Sequence, residues 1–284
     1  VFQSKSSSTL PPALYVVATP IGNFNDLSAR AIEILKTVSL ILAEDTRVTG
    51  QLLKAVGVKT RTISFNAYSE AGKIPRVIDW LRTGESAALV SDAGTPAISD
   101  PGRLLIERLH EADLPVIAIP GPSALAAALS ISGLPSNPCH FIGFLPAKGG
   151  ARQKALDVGL GWPGTLVLYE APHRITDLAG RLDQSAVGRK VVFARELTKT
   201  HEQLVRVDAG ECADWFLNNP DRIRGEFVVL VGPNDSGESS YELNAAKLLA
   251  VLARELSPSK AASVCAELTG IPRRELYQKL TNPT

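Results

Sequence analysis

Four short runs in the first half of the chain carry residue types that bind or react. They are Thr19-Pro20-Ile21-Gly22-Asn23, Glu44-Asp45-Thr46-Arg47, the stretch from Ser91 to Pro101, and Gly121-Pro122-Ser123-Ala124. Each follows a short apolar segment. Asp45 stands just before Arg47, so its carboxylate can stay ionised in a cleft and accept a proton; it can equally cap a helix that begins at Thr46. Gly94 lets the backbone turn or approach a ligand, and Pro96 stiffens the same loop. Asp100 can cap a following helix with Pro101 at its first position. Pro122 at a helix start leaves the amides of Ser123 and Ala124 free to face a ligand, or does no more than start the helix.

The second half holds three further clusters. Glu170 closes the apolar run Thr165–Tyr169 and precedes Pro172-His173-Arg174, so it can face a ligand or pair with Arg174. The charged segment from Arg195 to Glu202 reads as a polar wall or as a solvated hairpin. The basic loop holding Lys148 and Arg152, with Lys154 beyond it, could grip phosphates, each contact adding salt-sensitive affinity.

Several chemistries are disfavoured. No GxGxxG follows the first strand and no Walker sequence occurs, which argues against a dinucleotide dehydrogenase and a P-loop NTPase. Cys139, Cys212 and Cys265 form no CxxC pair, and the histidines show no metal spacing, so no metal site is expected. Three scattered cysteines fit a reducing cytoplasm better than a disulfide framework. A net charge of +1 among 284 residues gives no overall pull toward a polyanion, so a nucleic-acid role must rest on local basic patches. No apolar run is long enough to span a membrane, and the opening residues lack the apolar centre of a signal peptide.

These residues need elements to hold them. Leu14–Ala18, Ser39–Ala43, Arg61–Phe65, Ala87–Val90 and Pro115–Ile119 read as buried strands. Helices alternate with them, near 28–36, from Thr46 to about Val56, from Pro75 to Gly84, from Pro101, and from Pro122 to Gly133. The alternation predicts a parallel, Rossmann-like sheet with helices on both faces, and its carboxyl edge would gather all four loops. The run Leu134–Pro138 reads as a linker. Beyond it, strands at His140–Phe144, Thr165–Tyr169, Lys190–Ala194, Gln203–Val207 and Glu226–Val231 predict a mixed-sheet α/β domain. A polar break at Asn234–Ser240 precedes a helical tail. There Ser257-Pro258 opens one helix and Gly270-Ile271-Pro272 turns into another, a helix-turn-helix-like pattern or a plain helical cap. Arg273, Arg274 and Lys279 make its last helix basic. The expected organisation is a disordered tail over 1–12, α/β domains over 13–134 and 139–233, and the helical segment over 241–284.

Taken in order, the motifs carry a resemblance. Thr-Pro-Ile-Gly-Asn (19–23), Ala-Glu-Asp-Thr-Arg (43–47), Ser-Asp-Ala-Gly-Thr-Pro with Ser-Asp-Pro-Gly (91–102) and Pro-Gly-Pro-Ser-Ala (120–124) come first. Gly-Phe-Leu-Pro-Ala-Lys (143–148), Tyr-Glu-Ala-Pro-His-Arg (169–174), Ala-Arg-Glu-Leu-Thr-Lys-Thr (194–200) and Gly-Glu-Phe (225–227) follow. From about Leu14 to its end the chain resembles the tetrapyrrole methylase superfamily, and within it the enzymes that methylate small-subunit ribosomal RNA. The segment Phe65–Glu70 departs from the His- and Asn-bearing stretch expected there.

The resemblance implies methyl transfer from S-adenosyl-L-methionine to the ribose 2′-hydroxyl of a cytidine in the decoding centre of 16S rRNA, by a homodimer. It implies cofactor contacts from Pro20, Ile21, Ala93, Gly94, Thr95, Ile98, Ser123 and Ala124, and from Tyr169, Glu170 and Leu197, in a cleft between two α/β domains. Asp45 matches the place of a proposed base in tetrapyrrole-modifying relatives; it is expected here to act as that base, with Arg47 and Lys199 as electrostatic helpers. RNA contacts would come from Lys148, Arg152, Lys154, Arg273, Arg274 and Lys279. A methylase for a tetrapyrrole or other small molecule, or a non-catalytic cofactor-sensing module, would use the same fold.

Overall fold

The computed structural model describes residues 10–233 and 245–281. Most of the expected tail and the whole polar break at 234–240 lie outside the described residues. Two compact units divide the chain. One holds residues up to Ser132 together with Phe193–Val205 and Gly225–Val228; the other holds Gly133–Val192, Arg206–Arg224 and the residues from Val229 on.

The first unit is built on five short strands: β1 Leu14–Val17, β2 Leu40–Ala43, β3 Thr62–Ser64, β4 Ala87–Val90 and β5 Val116–Ile119. Their order is β3-β2-β4-β1-β5, and every neighbouring pair is parallel. Strand side chains alternate between faces, and the core divides accordingly. Tyr15, Val17, Ile41, Ala43, Ala88 and Val90 pack on one side with α1 (Ala29–Thr37) and α2 (Thr46–Ala55). Leu14, Val16, Leu40, Leu42, Ala87 and Leu89 pack on the other with α3 (Glu70–Arg82) and α4 (Arg103–Glu111). β1, β2 and β4 are buried along their whole length, which is why they read as continuous apolar runs, while the edge strands β3 and β5 are only partly buried. The last helix of this unit is α5, Ala124–Ser132.

Two helix starts differ from expectation. α3 begins at Glu70 and holds Pro75 inside it. The turn before it is already closed: the Asn66 carbonyl accepts from the amides of Ser69 and Glu70 at 2.9 and 2.8 Å, so the helix nucleates upstream of the proline. α4 is capped by Gly102 at φ 124°, not by Asp100. A Cβ on Gly102 would lie 2.5 Å from Leu89 Cδ2, so glycine is needed there for both backbone and space.

The second sheet runs β6-β7-β10-β8-β9. Its strands are β6 Cys139–Phe144, β7 Thr165–Glu170, β8 Lys190–Arg195, β9 Gln203–Asp208 and β10 Phe227–Val231. β6 and β7 are parallel. β8 and β9 are neighbours joined by a short turn without a helix, which only antiparallel strands allow, so the sheet is mixed. α6 (Gly149–Gly161), α7 (Ile175–Ser185) and α8 (Cys212–Asn218) accompany it. Asp183 on α7 ties down α8: its carboxylate accepts from the amides of Gly210, Cys212 and Ala213, each at 2.9 Å.

The tail forms three helices, α9 Ala245–Glu255, α10 Pro258–Thr269 and α11 Arg273–Thr281. They share a small core of Leu249, Ala261, Ala262, Cys265 and Leu276. Gly270, left-handed at φ 71°, ends α10 and sets the turn into α11. Among the described residues no helix is long and apolar enough to cross a membrane.

Candidate functional site

In the first unit the carboxyl edge of the parallel sheet gathers the loops after β1, β4 and β5, and direct bonds join them. Thr19 and Gly94 exchange two backbone hydrogen bonds, at 2.9 and 3.0 Å. The buried Thr19 hydroxyl donates to the Ser91 carbonyl at 3.1 Å. The Thr95 hydroxyl donates to the Pro122 carbonyl at 3.1 Å. Gly94 has φ 82°, and a Cβ there would meet Ile21 Cγ2 at 3.4 Å. Pro20, Ile21, Ala93, Gly94, Thr95, Ser123 and Ala124 are thereby held on one edge. Ile98, on the outer part of the central loop, is 41% exposed.

The turn Glu196–Lys199 closes against the loop after β1. A Cβ on Gly22 would fall 2.9 Å from Thr198 Oγ1 and 3.0 Å from the Leu197 carbonyl oxygen, and closer still to Lys199 Cγ. Leu197 is buried in this turn, while Glu196 and Thr198 take left-handed φ of 52° and 67°. Lys199 Nζ donates to Glu196 Oε1 at 2.8 Å and to Glu226 Oε2 at 3.1 Å. Burial opposes its charge, but these two bonds hold its pKa above the usual lysine range. Lys199 therefore pins the turn, with its charge answered by two carboxylates. Gly22→Ala is expected to push this turn outward and cost about 1–3 kcal/mol, read as a lowered midpoint in urea unfolding.

Asp45 does cap α2: its Oδ1 accepts from the Arg47 amide at 2.8 Å. The Arg47 guanidinium also closes on it, with Nη2 2.6 Å from Oδ2. These bonds, the side-chain one foremost, hold the Asp45 pKa down at about 2. A carboxylate so stabilised is a weak base, so the helix-capping alternative describes Asp45 better than proton acceptance does.

A second set of acids behaves oppositely. The Asp45 amide donates to Asp92 Oδ1 at 3.0 Å, and the Asp92 amide donates to Glu44 Oε2 at 3.3 Å. Burial raises both Glu44 and Asp92, and their proximity to each other adds to it for Glu44. Asp100 is raised furthest, to about 6, first by burial and then by the nearby Glu44 charge, against an opposing hydrogen bond from Ser91. Asp100 and Glu44 line a cavity of about 680 Å³ with Asn66, Tyr68, Glu70 and Ser99. The Tyr68 ring at its rim is fully exposed. Neither Glu44 nor Asp100 stood out in the sequence as an acid-base group. The available signal was the pairing of two adjacent strands, β2 and β4, that each end in carboxylates.

In the second unit two expectations are corrected. Glu170 has a side chain with no exposure; it accepts from Arg152 Nη2 at 2.5 Å, and Arg174 Nε lies 3.1 Å from its other oxygen. It thus takes the ion-pair alternative, and its oxygens are spent on guanidinium groups. Arg152 is withdrawn from solvent with 2% of its side chain exposed and also reaches Asp177 at 2.9 Å, so it offers nothing to a phosphate. Tyr169 is half-buried and packs edge-on against Phe141 and Phe144, with ring centroids 4.9 and 5.5 Å away. Lys148, just before α6, and Lys154, within it, are exposed. On α11, Arg273 and Arg274 are exposed, Arg273 donating to Ser259 Oγ at 2.7 Å, while Lys279 lies 3.5 Å from Glu275.

Residues 13–213 match the model of the tetrapyrrole (corrin/porphyrin) methylases, and residues 242–281 match the RsmI C-terminal HTH domain. The chain is 45% identical over 271 residues to the ribosomal RNA small subunit methyltransferase I of Xylella fastidiosa, covering 94% of this chain and 98% of that protein. Its identity to the protein of that name from Escherichia coli O157:H7 is 41% over 277 residues, covering 97% of each. In fold it is similar to the Thermus thermophilus uroporphyrin-III C-methyl transferase complexed with S-adenosyl homocysteine, with a TM-score of 0.55 at 18% identity, covering 78% of this chain and 97% of that one. The chain belongs to the tetrapyrrole methylase family and, within it, to the group of ribosomal RNA small subunit methyltransferases I.

Proposed function

We propose that this protein transfers a methyl group from S-adenosyl-L-methionine to the ribose 2′-hydroxyl of a cytidine in the decoding centre of 16S rRNA. Full-length identity to small-subunit rRNA methyltransferases, with a matching helix-turn-helix tail, is the observation that carries this reading. The donor fits the loop edge of the first unit on three grounds. Gly94 lets the chain pass close, Ile21 and Ile98 offer apolar surface, and the start of α5 presents the amides of Ser123 and Ala124.

S-adenosylmethionine, when bound, supplies a methyl already activated by its sulfonium. The chain's own work is alignment and proton management. Pro20, Ile21, Ala93, Gly94 and Thr95 hold their places through the Thr19–Gly94 and Thr95–Pro122 bonds, which keep three loops from moving apart. A ribose hydroxyl is a weak acid, so a carboxylate that takes its proton as the new bond forms lowers the barrier. Asp100 suits that role, because it lines a cavity and its pKa of about 6 leaves it ionised yet basic at neutral pH. Asp45 caps α2 with Arg47 closing on it, and Lys199 keeps the 196–199 turn in place. Phosphate contact falls to Lys148, Lys154, Arg273, Arg274 and Lys279. The same reading expects a homodimer in the cytoplasm, which light scattering of the purified protein checks for the first part.

The test is transfer of radiolabelled methyl from S-adenosylmethionine to purified small ribosomal subunits, followed by nuclease mapping. Label on one cytidine ribose is expected. Label on the base, or none on RNA but some on a tetrapyrrole, would overturn the assignment.

A further inference from the structure

The second unit carries a groove that no part of the methyl-transfer edge uses. It lies between the outer strand β6 and helix α6 and has a volume of about 430 Å³. From β6 come His140 and Ile142, and, beyond a shift of register between Phe141 and Phe144, Phe144 at the strand end. From α6 come Ala151, Ala155, Val158 and Gly159, a stripe at helical spacing. The stripe is mostly small, so the helix approaches closely; a Cβ on Gly159 would meet Leu166 at 3.1 Å and Ile142 at 3.4 Å. The result is an open, mainly apolar slot.

Its walls are aromatic and open. Phe144 is 55% exposed and Val158 56%. Outside the lining, Trp162 is 43% exposed and stacks on the lining residue His140, with centroids 4.7 Å apart and planes 18° from parallel. Large apolar side chains this exposed and this close together mark a binding surface more than a stray patch. The rim is cationic. Lys154 lines the slot and Lys148 stands at the start of α6, and among the described residues neither takes part in an ion pair. The third cation of this segment, Arg152, is spent on Glu170 and Asp177. An apolar slot with aromatic side chains, edged by Lys154 and with Lys148 at the start of the same helix, complements a base joined to a phosphate.

We propose, resting on the RNA-directed reading above, that this groove holds an unpaired nucleobase of the RNA substrate. Phe144 and the His140–Trp162 pair supply the stacking surface, and Lys148 and Lys154 meet the adjoining phosphates. The groove is thus a second point of purchase on the RNA, separate from the residues that hold the methyl donor.

The experiment measures binding of a fluorescein-labelled single-stranded RNA to the full-length protein by anisotropy, at several salt concentrations. Phe144→Ala is expected to weaken binding about 5- to 100-fold with the salt slope unchanged. Lys154→Gln is expected to weaken it and reduce the slope by about one. Phe144→Leu keeps apolar bulk without a π face and serves if the alanine variant unfolds; it too is expected to bind more weakly, and Phe144→Trp to bind normally. With small subunits as substrate, Phe144→Ala is expected to raise KM more than it lowers kcat. Unchanged RNA affinity in both Phe144→Ala and Phe144→Leu overturns the proposal. So does a changed oligomeric state by light scattering with RNA affinity intact, which would make the slot a self-association surface. A wild-type protein that binds the labelled RNA but methylates no ribosomal RNA would sink the activity reading and leave the groove standing.

Discussion

Asp100→Asn is expected to lower methyl transfer by about 10²- to 10⁴-fold, the usual worth of a positioned general base, with S-adenosylmethionine affinity retained. Asparagine keeps the shape of the side chain at the cavity wall but cannot take a proton. The wild-type rate is expected to rise with pH through about 6, where Asp100 ionises, and to level off above. The variant's residual rate should lack that inflection. Stability should move the other way. Burial raises the folded-state pKa of Asp100 above the unfolded value near 3.9. Its contribution is therefore fully present below that value and is lost as pH rises through about 6. The substitution should then stabilise the protein at pH 7, by on the order of 1 kcal/mol after allowance for solvent screening, and leave it unchanged at pH 4. An Asp100→Asn enzyme with normal turnover would move the base elsewhere. Asp45→Asn, by contrast, should act through α2, because Asp45 is already committed to Arg47 and the helix cap.

The buried pair in the second unit should give the largest stability effect. Glu170→Leu leaves Arg152 inside the fold with only the half-exposed Asp177 for company, and about 3–5 kcal/mol should be lost. Arg152→Met leaves Glu170 with Arg174 and the Ala171 amide and should cost a similar amount. The double replacement Arg152→Met with Glu170→Leu removes both charges and fills the space with apolar atoms. It should recover most of the loss, since a buried ion pair is often no better than packed hydrocarbon. Urea unfolding of the four proteins measures the coupling directly. Additive losses would mean that the two side chains do not act as a unit.

These two sites show what sequence pattern can and cannot convey. The parallel sheet was legible because its three inner strands are buried along their length and are followed by turns rich in Gly, Pro or Asp. The bond between Thr19 and Gly94 was not, since residues so far apart in the chain meet only once β1 and β4 are known to be neighbours. Arg152 sits between Lys148 and Lys154 in a run that reads as one basic loop. Once that run is helical, Arg152 shares its face with Leu156 and Gly159, both buried, and Lys154 does not. The lysines stay in water and the arginine goes inside. Glu170 ends a strand whose other residues are nearly all buried, so a counterion for it was predictable, and Arg174 was one of the two it uses. Asp100 misled because Asp-Pro is a common helix opening. Gly102 opens α4 instead, which frees the Asp100 carboxyl for the cavity.

The place of β4 has a mechanical corollary. It is flanked by β1 and β2, both faces are covered, and it leads straight into a loop with left-handed residues at Gly94, Ala97 and Ser99. A buried shaft thus ends in a tip that exposes Asp92, Ala93, Ile98 and Ser99. In deuterium-labelling experiments the amides of Ala87–Val90 should barely exchange whether or not a ligand is present, whereas those from Asp92 to Ser99 should slow sharply on binding. Occupancy would then be recorded over a few consecutive residues, with the shaft as a built-in reference.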